Sequence, residues 1–455
     1  MITKFINLLR VNGWWYTYRT VLNRLFKTPD PQLDPRWSEI QQKHFDKHPQ
    51  YRPQTKSESE YLPPQSTPID SYFAERFRSM DAIDSVIIPP GDKPRLNVVT
   101  DSLERDSLLG GVATALIVAS KFANENNMDL RIITRNTPPN PQAFFNILKI
   151  NGIAAPEKVD FYSDYTRDSK GEMTFKLELS ENDIFFATSW WSAEAIKKTS
   201  LRKRFFYIIQ EVETYFYPYG DDHYLCSQIM EDSNIDYIVN SHYLWDYFKT
   251  NNKNICNNGI YFEPAFSENL YSMGTMNEKQ GKRKIFFYSR PNNPRNLFNY
   301  GLLIFNEAIK RNILDTNKWE ICMLGQDIPH LAFCNGYEPK GMGRLGWHEY
   351  AEFLKDVDLT ISLMYTPHPS YPPFDAACSG SVVLTNAHEN KQSFDACKNV
   401  LVSNLDMDSF MKNMKKALLL AEDMETRKAN CLASTINRDW NVSLESTMLF
   451  MKGCL

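Results

Sequence analysis

The stretch TPHPSYPPFDAACSGSVVLTN, residues 366–386, decides the fold of this chain. The run VDLTISL (357–363) ahead of it reads as a strand, and SVVLT (381–385) behind it reads as a second one. Between them Pro372 and Pro373 open a short helix, with Asp375 in its first turn and Gly380 as its stop. Strand, proline-rich turn, helix and strand make the repeating unit of a parallel sheet covered by helices. In such open sheets ligands sit beyond the carboxyl ends of the strands, and a helix N-terminus there offers unpaired N–H groups to an anion. The stretch is expected to form one wall of a nucleotide or sugar-phosphate site.

SYPPFDAACSGSVVLTN resembles the donor-site segment of glycosyltransferase family 4. That segment runs Glu, Gly, Phe, Gly, Leu, Pro, Pro, Leu, Glu, Ala, a small or apolar pair and Gly, then a β run. Asp375 falls on the second glutamate of the pattern, and Pro367 falls where the first would stand. Within the family the segment most resembles a bacterial subgroup that includes rhamnosyltransferases of surface-glycan assembly. The resemblance implies the GT-B fold, an α/β architecture of two Rossmann-like domains facing a cleft. It also implies retaining transfer of a sugar from a nucleoside diphosphate to a hydroxyl, with no metal and no further cofactor.

With 455 residues the chain exceeds one ordinary core, so two domains plus an extension are expected. A formal net charge of −4 supplies no basic field, and no nucleic-acid partner is expected. Aromatic residues make up 13%, which suits stacking on sugars and suits large aromatic cores equally. The eight cysteines form no CxxC pair, which argues against zinc ribbons and redox motifs and for a reducing cytoplasm. No run of 18 or more apolar residues suggests a membrane span, and residues 1–26 lack a signal-peptide cleavage site.

Along the chain, residues 1–94 read as an extension. Residues 1–27 carry Lys4, Arg10, Arg19, Arg24 and Lys27 without an acid, and Trp14 and Trp15 fall among apolar residues at helical spacing. Such a helix either lies on the inner face of the cytoplasmic membrane or docks on the protein's own surface. Residues 28–94 are polar and dense in proline, the composition of a linker or an arm. Strand and helix patterns then alternate over 95–262, the first Rossmann-like (acceptor) domain, and again over 285–436, the nucleotide-sugar donor domain. The polar, aperiodic residues 263–284 make the hinge, and 437–455, with Trp440, resembles the family's closing helix that crosses back to the first domain.

Gly110 and Gly111 open the first long helix without side chains, so backbone N–H groups there can approach a ligand, and the family places such a pair against the donor phosphates. Arg290 and Arg295 follow the strand KIFFY, where the family has an arginine and a lysine on the diphosphate. Guanidinium groups suit that task because they pair with phosphate in a bidentate manner. Together with Asp375, whose family counterpart accepts from ribose or sugar hydroxyls, they are the catalytic candidates. Gly325 and Arg344 match turns that border the nucleotide, and His368, Ser370 and Tyr371 occupy the loop where the missing glutamate would lie. The loop QEVETYFYPY supplies Glu211, Glu213, Tyr215 and Tyr217 as the acceptor side, facing a glycan or lipid-linked glycan. Two further readings share this architecture: a sugar-nucleotide epimerase, and a catalytically idle sugar-nucleotide-binding subunit.

Overall fold

A computed structural model describes residues 42–43, 46–47, 68–103, 110–163, 176–274 and 281–455. The amphipathic helix expected at 1–27 and nearly all of the proline-rich stretch before residue 68 lie outside these residues. So does part of the hinge.

The described chain forms two large parallel sheets and a two-stranded one, β1-β5. Its strands are β1 (Ser85–Ile87), β2 (Arg95–Thr100), β3 (Asp129–Thr134), β4 (Val159–Ser163), β5 (Leu177–Leu179), β6 (Ile184–Ala187), β7 (Phe205–Ile209), β8 (Ile235–Asn240), β9 (Gly259–Phe262), β10 (Arg283–Tyr288), β11 (Trp319–Leu324), β12 (Lys340–Gly343), β13 (Leu359–Ile361), β14 (Val382–Asn386) and β15 (Val400–Ser403). The first sheet has the order β4-β3-β2-β6-β7-β8-β9 and the second β12-β11-β10-β13-β14-β15. Within each sheet the strands are parallel, and the order reverses beside β2 and beside β10, the switch points at which such sheets bind ligands.

Side chains alternate across each sheet because successive residues of a strand point to opposite faces. Val98 enters the apolar cluster under the helices Gly111–Glu125 and Pro141–Ile150, and its neighbour Val99 enters the cluster on the other face. Phe286 and Phe287 divide in the same way between the two cores of the second domain. Burial on both faces explains why strands such as β7 (FFYII) read as unbroken apolar runs.

Three strands lacked that signal. β12 is KGMG, largely exposed at a sheet edge. β9 and β15 are four-residue edge strands. Residues 80–87, read as part of the extension, deliver Met80, Ile83 and Ile87 to the first domain's core, and β1 pairs with β5.

The chain passes between the domains twice. After the second sheet, Trp440, Leu444, Met448 and Met451 return to the first domain's core. The two passages touch, since the Phe266 N–H donates to the Asn437 carbonyl at 2.8 Å.

Candidate active site

A cavity of about 430 Å³ lies between the domains, lined from both sides by residues at the carboxyl ends of strands. Asp101 follows β2, Thr188 follows β6, and Gln210 and Glu211 follow β7. From the second domain come Tyr288 at the end of β10, then Arg290, and Leu324 at the end of β11. Of the candidates from sequence, Gly110, Gly111, Glu211, Glu213, Arg290, Arg295, His368, Ser370, Tyr371 and Asp375 all line it.

The two arginines differ in state. Arg290 is exposed, and its side chain forms no hydrogen bond or ion pair with a described residue. Arg295 is engaged from across the cleft: its Nη1 donates to Glu211 Oε2 at 2.8 Å, and its guanidinium lies 4.1 Å from the centre of the Phe216 ring. Thr366 Oγ1 donates to the same carboxylate oxygen at 3.0 Å, and the Val212 N–H donates to Oε1 at 3.0 Å. Burial pushes the Glu211 carboxyl up and the Arg295 guanidinium down, each partly restored by the other's charge. Arg295, expected to face a diphosphate, thus faces an acid of the chain itself.

The loop before the helix Pro372–Cys378 is strained at Ser370, whose φ of 68° lies in the left-handed region. It carries Tyr371 into the first domain. The Tyr371 hydroxyl is 2.6 Å from Thr114 Oγ1 and accepts from Asn240 Nδ2 at 2.6 Å. Its ring closes over Gly110, where a Cβ would lie 3.3 Å away, and a Cβ at Gly111 would lie 3.1 Å from the Gln210 amide. The glycine pair therefore meets these two side chains at close range. His368 accepts the Ser370 N–H at Nδ1, so in the neutral ring Nε2 carries the proton; burial and the charge of Lys391 push its pKa down to about 3. Asp375 is buried, and desolvation holds it well above the carboxylate range although Tyr271 hydrogen-bonds to it and the Tyr350 hydroxyl lies 3.5 Å from Oδ2. Burial thus favours its protonated form, which can donate as well as accept.

On the acceptor side Glu213 accepts the Trp190 N–H at 2.9 Å, at the start of the helix Trp190–Lys197, and burial raises its pKa to about 7. Beside it Trp191 Nε1 donates to Asp101 Oδ1 at 2.6 Å. Tyr217 and Tyr215 lie outside the lining, and their hydroxyls are engaged, with Trp190 Nε1 at 2.9 Å and with the Tyr247 hydroxyl at 2.9 Å. Phe216 between them lines the cavity instead. Gly325 and Arg344 are also outside it. A Cβ on Gly325 would lie 1.6 Å from the Ser289 carbonyl oxygen, so the glycine serves the β10–β11 packing, and Arg344 pairs with Gln326.

Sequence reading missed Asp101, although its place directly after a strand was a usable signal. It also missed Trp191, Tyr271 and Tyr350, and the buried Lys391, which donates to the Met364 carbonyl at 2.8 Å and whose pKa burial lowers to about 7. Among the described residues no group of three or more His, Cys, Asp or Glu is placed to hold a metal ion.

Residues 95–239 match the model of the WsaF N-terminal domain, and residues 283–415 match that of the WsaF C-terminal domain. Together the two matches cover more than half of the chain. The chain belongs to the WsaF family. The O-antigen biosynthesis protein RfbC of Myxococcus xanthus is 26% identical over 225 residues, which is 45% of this chain and 15% of RfbC. Solved structures share the GT-B fold. A glycosyltransferase from Rickettsia africae ESF-5 superposes with a TM-score of 0.53 at 13% identity, over 80% of this chain and 99% of that one. A sucrose-phosphate synthase from Thermosynechococcus elongatus gives 0.52 at 9% identity, over 79% and 99%. A variant of TarM from S. aureus in complex with fondaparinux, α-GlcNAc-glycerol and UDP gives 0.51 at 11% identity, over 79% and 99%.

Proposed function

We propose that this WsaF-family protein is a retaining glycosyltransferase that moves a sugar from a nucleoside diphosphate to a hydroxyl of a growing surface polysaccharide, with dTDP-rhamnose as the first donor to test. The observation that carries this reading is the interdomain cavity at the carboxyl ends of both sheets, with an unpaired guanidinium, Arg290, on its donor wall. The RfbC likeness supports the polysaccharide, and the resemblance of residues 367–381 to rhamnosyltransferases supports the sugar.

In this reading Arg290 and Arg295 take up the charge that grows on the departing diphosphate, the task that fixed cationic donors perform without a metal. Asp375 and the Nε2–H of His368 hydrogen-bond to ribose or sugar hydroxyls. Glu213 and Asp101 hold the acceptor hydroxyl. Incubation with dTDP-rhamnose, UDP-glucose or GDP-mannose and an octyl glycoside acceptor, read by NMR of the product, tests it. Transfer with the donor's anomeric configuration kept is the expected result. Inverted product removes the retaining mechanism, and nucleotide binding with neither transfer nor hydrolysis favours the idle-subunit reading.

Residues 1–27 place the enzyme on the inner face of the membrane in the same reading. Deleting them is expected to lower sedimentation with anionic vesicles while donor binding stays unchanged. Equal sedimentation of both forms would refute this.

A further inference from the structure

The ion pair between Arg295 and Glu211 spans the cleft and joins two residues assigned to different substrates. Its carboxylate is 5% exposed and is also held by Thr366 Oγ1 and by the Val212 N–H, so the contact is built rather than incidental. The Phe216 ring covers the guanidinium at 4.1 Å. A carboxylate and a phosphate present the same oxygen geometry to a guanidinium. We propose that Glu211 is an intramolecular occupant of the phosphate seat on Arg295, which a nucleoside diphosphate must displace in order to bind.

The inference rests on the donor site proposed above and gives that site a competitor. The donor diphosphate carries more charge than one carboxylate and brings the Arg290 contact with it, so it wins the exchange at a cost in affinity. When Arg295 leaves, the Glu211 carboxylate is released on the acceptor side of the cavity, still tied to Thr366. Donor binding thereby frees a hydrogen-bond acceptor for the incoming hydroxyl, and Glu211 acts as a positioning residue that links the two substrates. A ligand that loses an internal competitor gains affinity by the fraction of binding-competent protein recovered.

Calorimetry on the full chain with dTDP, UDP and GDP tests this. Glu211→Gln keeps the shape of the side chain and removes its charge, and it is expected to bind the preferred nucleotide at least fivefold more tightly than the wild type. Thr366→Val, which only loosens the carboxylate, is expected to give a smaller gain and guards against misfolding of the first variant. In an Arg295→Ala background the Glu211→Gln gain should disappear, because the two effects are coupled through one contact. Unchanged or weaker binding by both single variants overturns the proposal, as does an equal gain with and without Arg295. If no nucleotide binds the wild type or any variant at millimolar concentration, the donor site itself is wrong, and the competitor falls with it.

Discussion

At the residue scale the cavity is a set of ionisable groups moved from their ordinary states by burial. Among the described residues nothing pairs with the Arg290 side chain on the donor wall. Arg290→Ala is expected to cost a nucleoside diphosphate about 1.5–3 kcal/mol, the worth of a charge-assisted hydrogen bond. Titration calorimetry giving equal affinity for both forms would take Arg290 out of the site. Glu213 has a folded pKa of about 7, above the ordinary carboxylate value of 4.5. Between those values the native state binds a proton that the unfolded chain has released, so stability falls as pH rises through this window. Glu213→Gln removes that fall, which amounts to on the order of 2–3 kcal/mol. Denaturation in urea at pH 4.5 and 7.5 should show the variant gaining on the wild type at the higher pH; parallel behaviour would mean that Glu213 ionises freely.

At the element scale the turns after β10 and β11 set the donor wall. Gly325 lets β11 pass the Ser289 carbonyl, and Ser289 immediately precedes Arg290. Gly325→Ala forces the two backbones apart and is expected to cost about 3 kcal/mol of stability. It should weaken nucleotide binding as well, through displacement of Arg290. A variant with unchanged chemical denaturation and unchanged binding would show that the turn yields freely.

This scale also separates what the sequence could reveal from what it could not. β7, β10 and β14 were legible because burial on both faces leaves no polar residue in phase with the pleat, and β2 was legible from its apolar run despite the buried Asn97. β12 was not legible, since KGMG has neither apolar content nor alternation. Asp375 could be located from its place after Pro372 and Pro373, but its raised pKa comes from burial in the folded chain, opposed by hydrogen bonds from Tyr271 and Tyr350 that no local pattern carries. The Glu211–Arg295 pair is 84 residues apart and crosses domains, so no local pattern could carry it. Tyr371 on Thr114 spans 257 residues and is equally a product of docking.

At the scale of the whole molecule the C-terminal segment fastens the domains together. Trp440 is 4% exposed in the first domain's core, and its Nε1 donates to Asn151 Oδ1 at 3.1 Å. Trp440→Ala is expected to cost about 3–5 kcal/mol, the usual loss for emptying a buried aromatic site. It should also separate one melting transition into two, because the domains would then unfold with less mutual support. A single transition at the wild-type temperature would mean that the crossing segment contributes little.

The backbone bond from Phe266 to Asn437 stitches the outgoing and returning passages into a common spine. A molecule bound along one spine opens as a book does, by swinging its covers rather than sliding them. Points near such a spine move least, and the margin opposite it parts widest. In the transfer proposed above, a polymer many sugars long would need no threading: its growing tip would be laid in sideways from that margin and lifted out again, one residue longer, by the same swing.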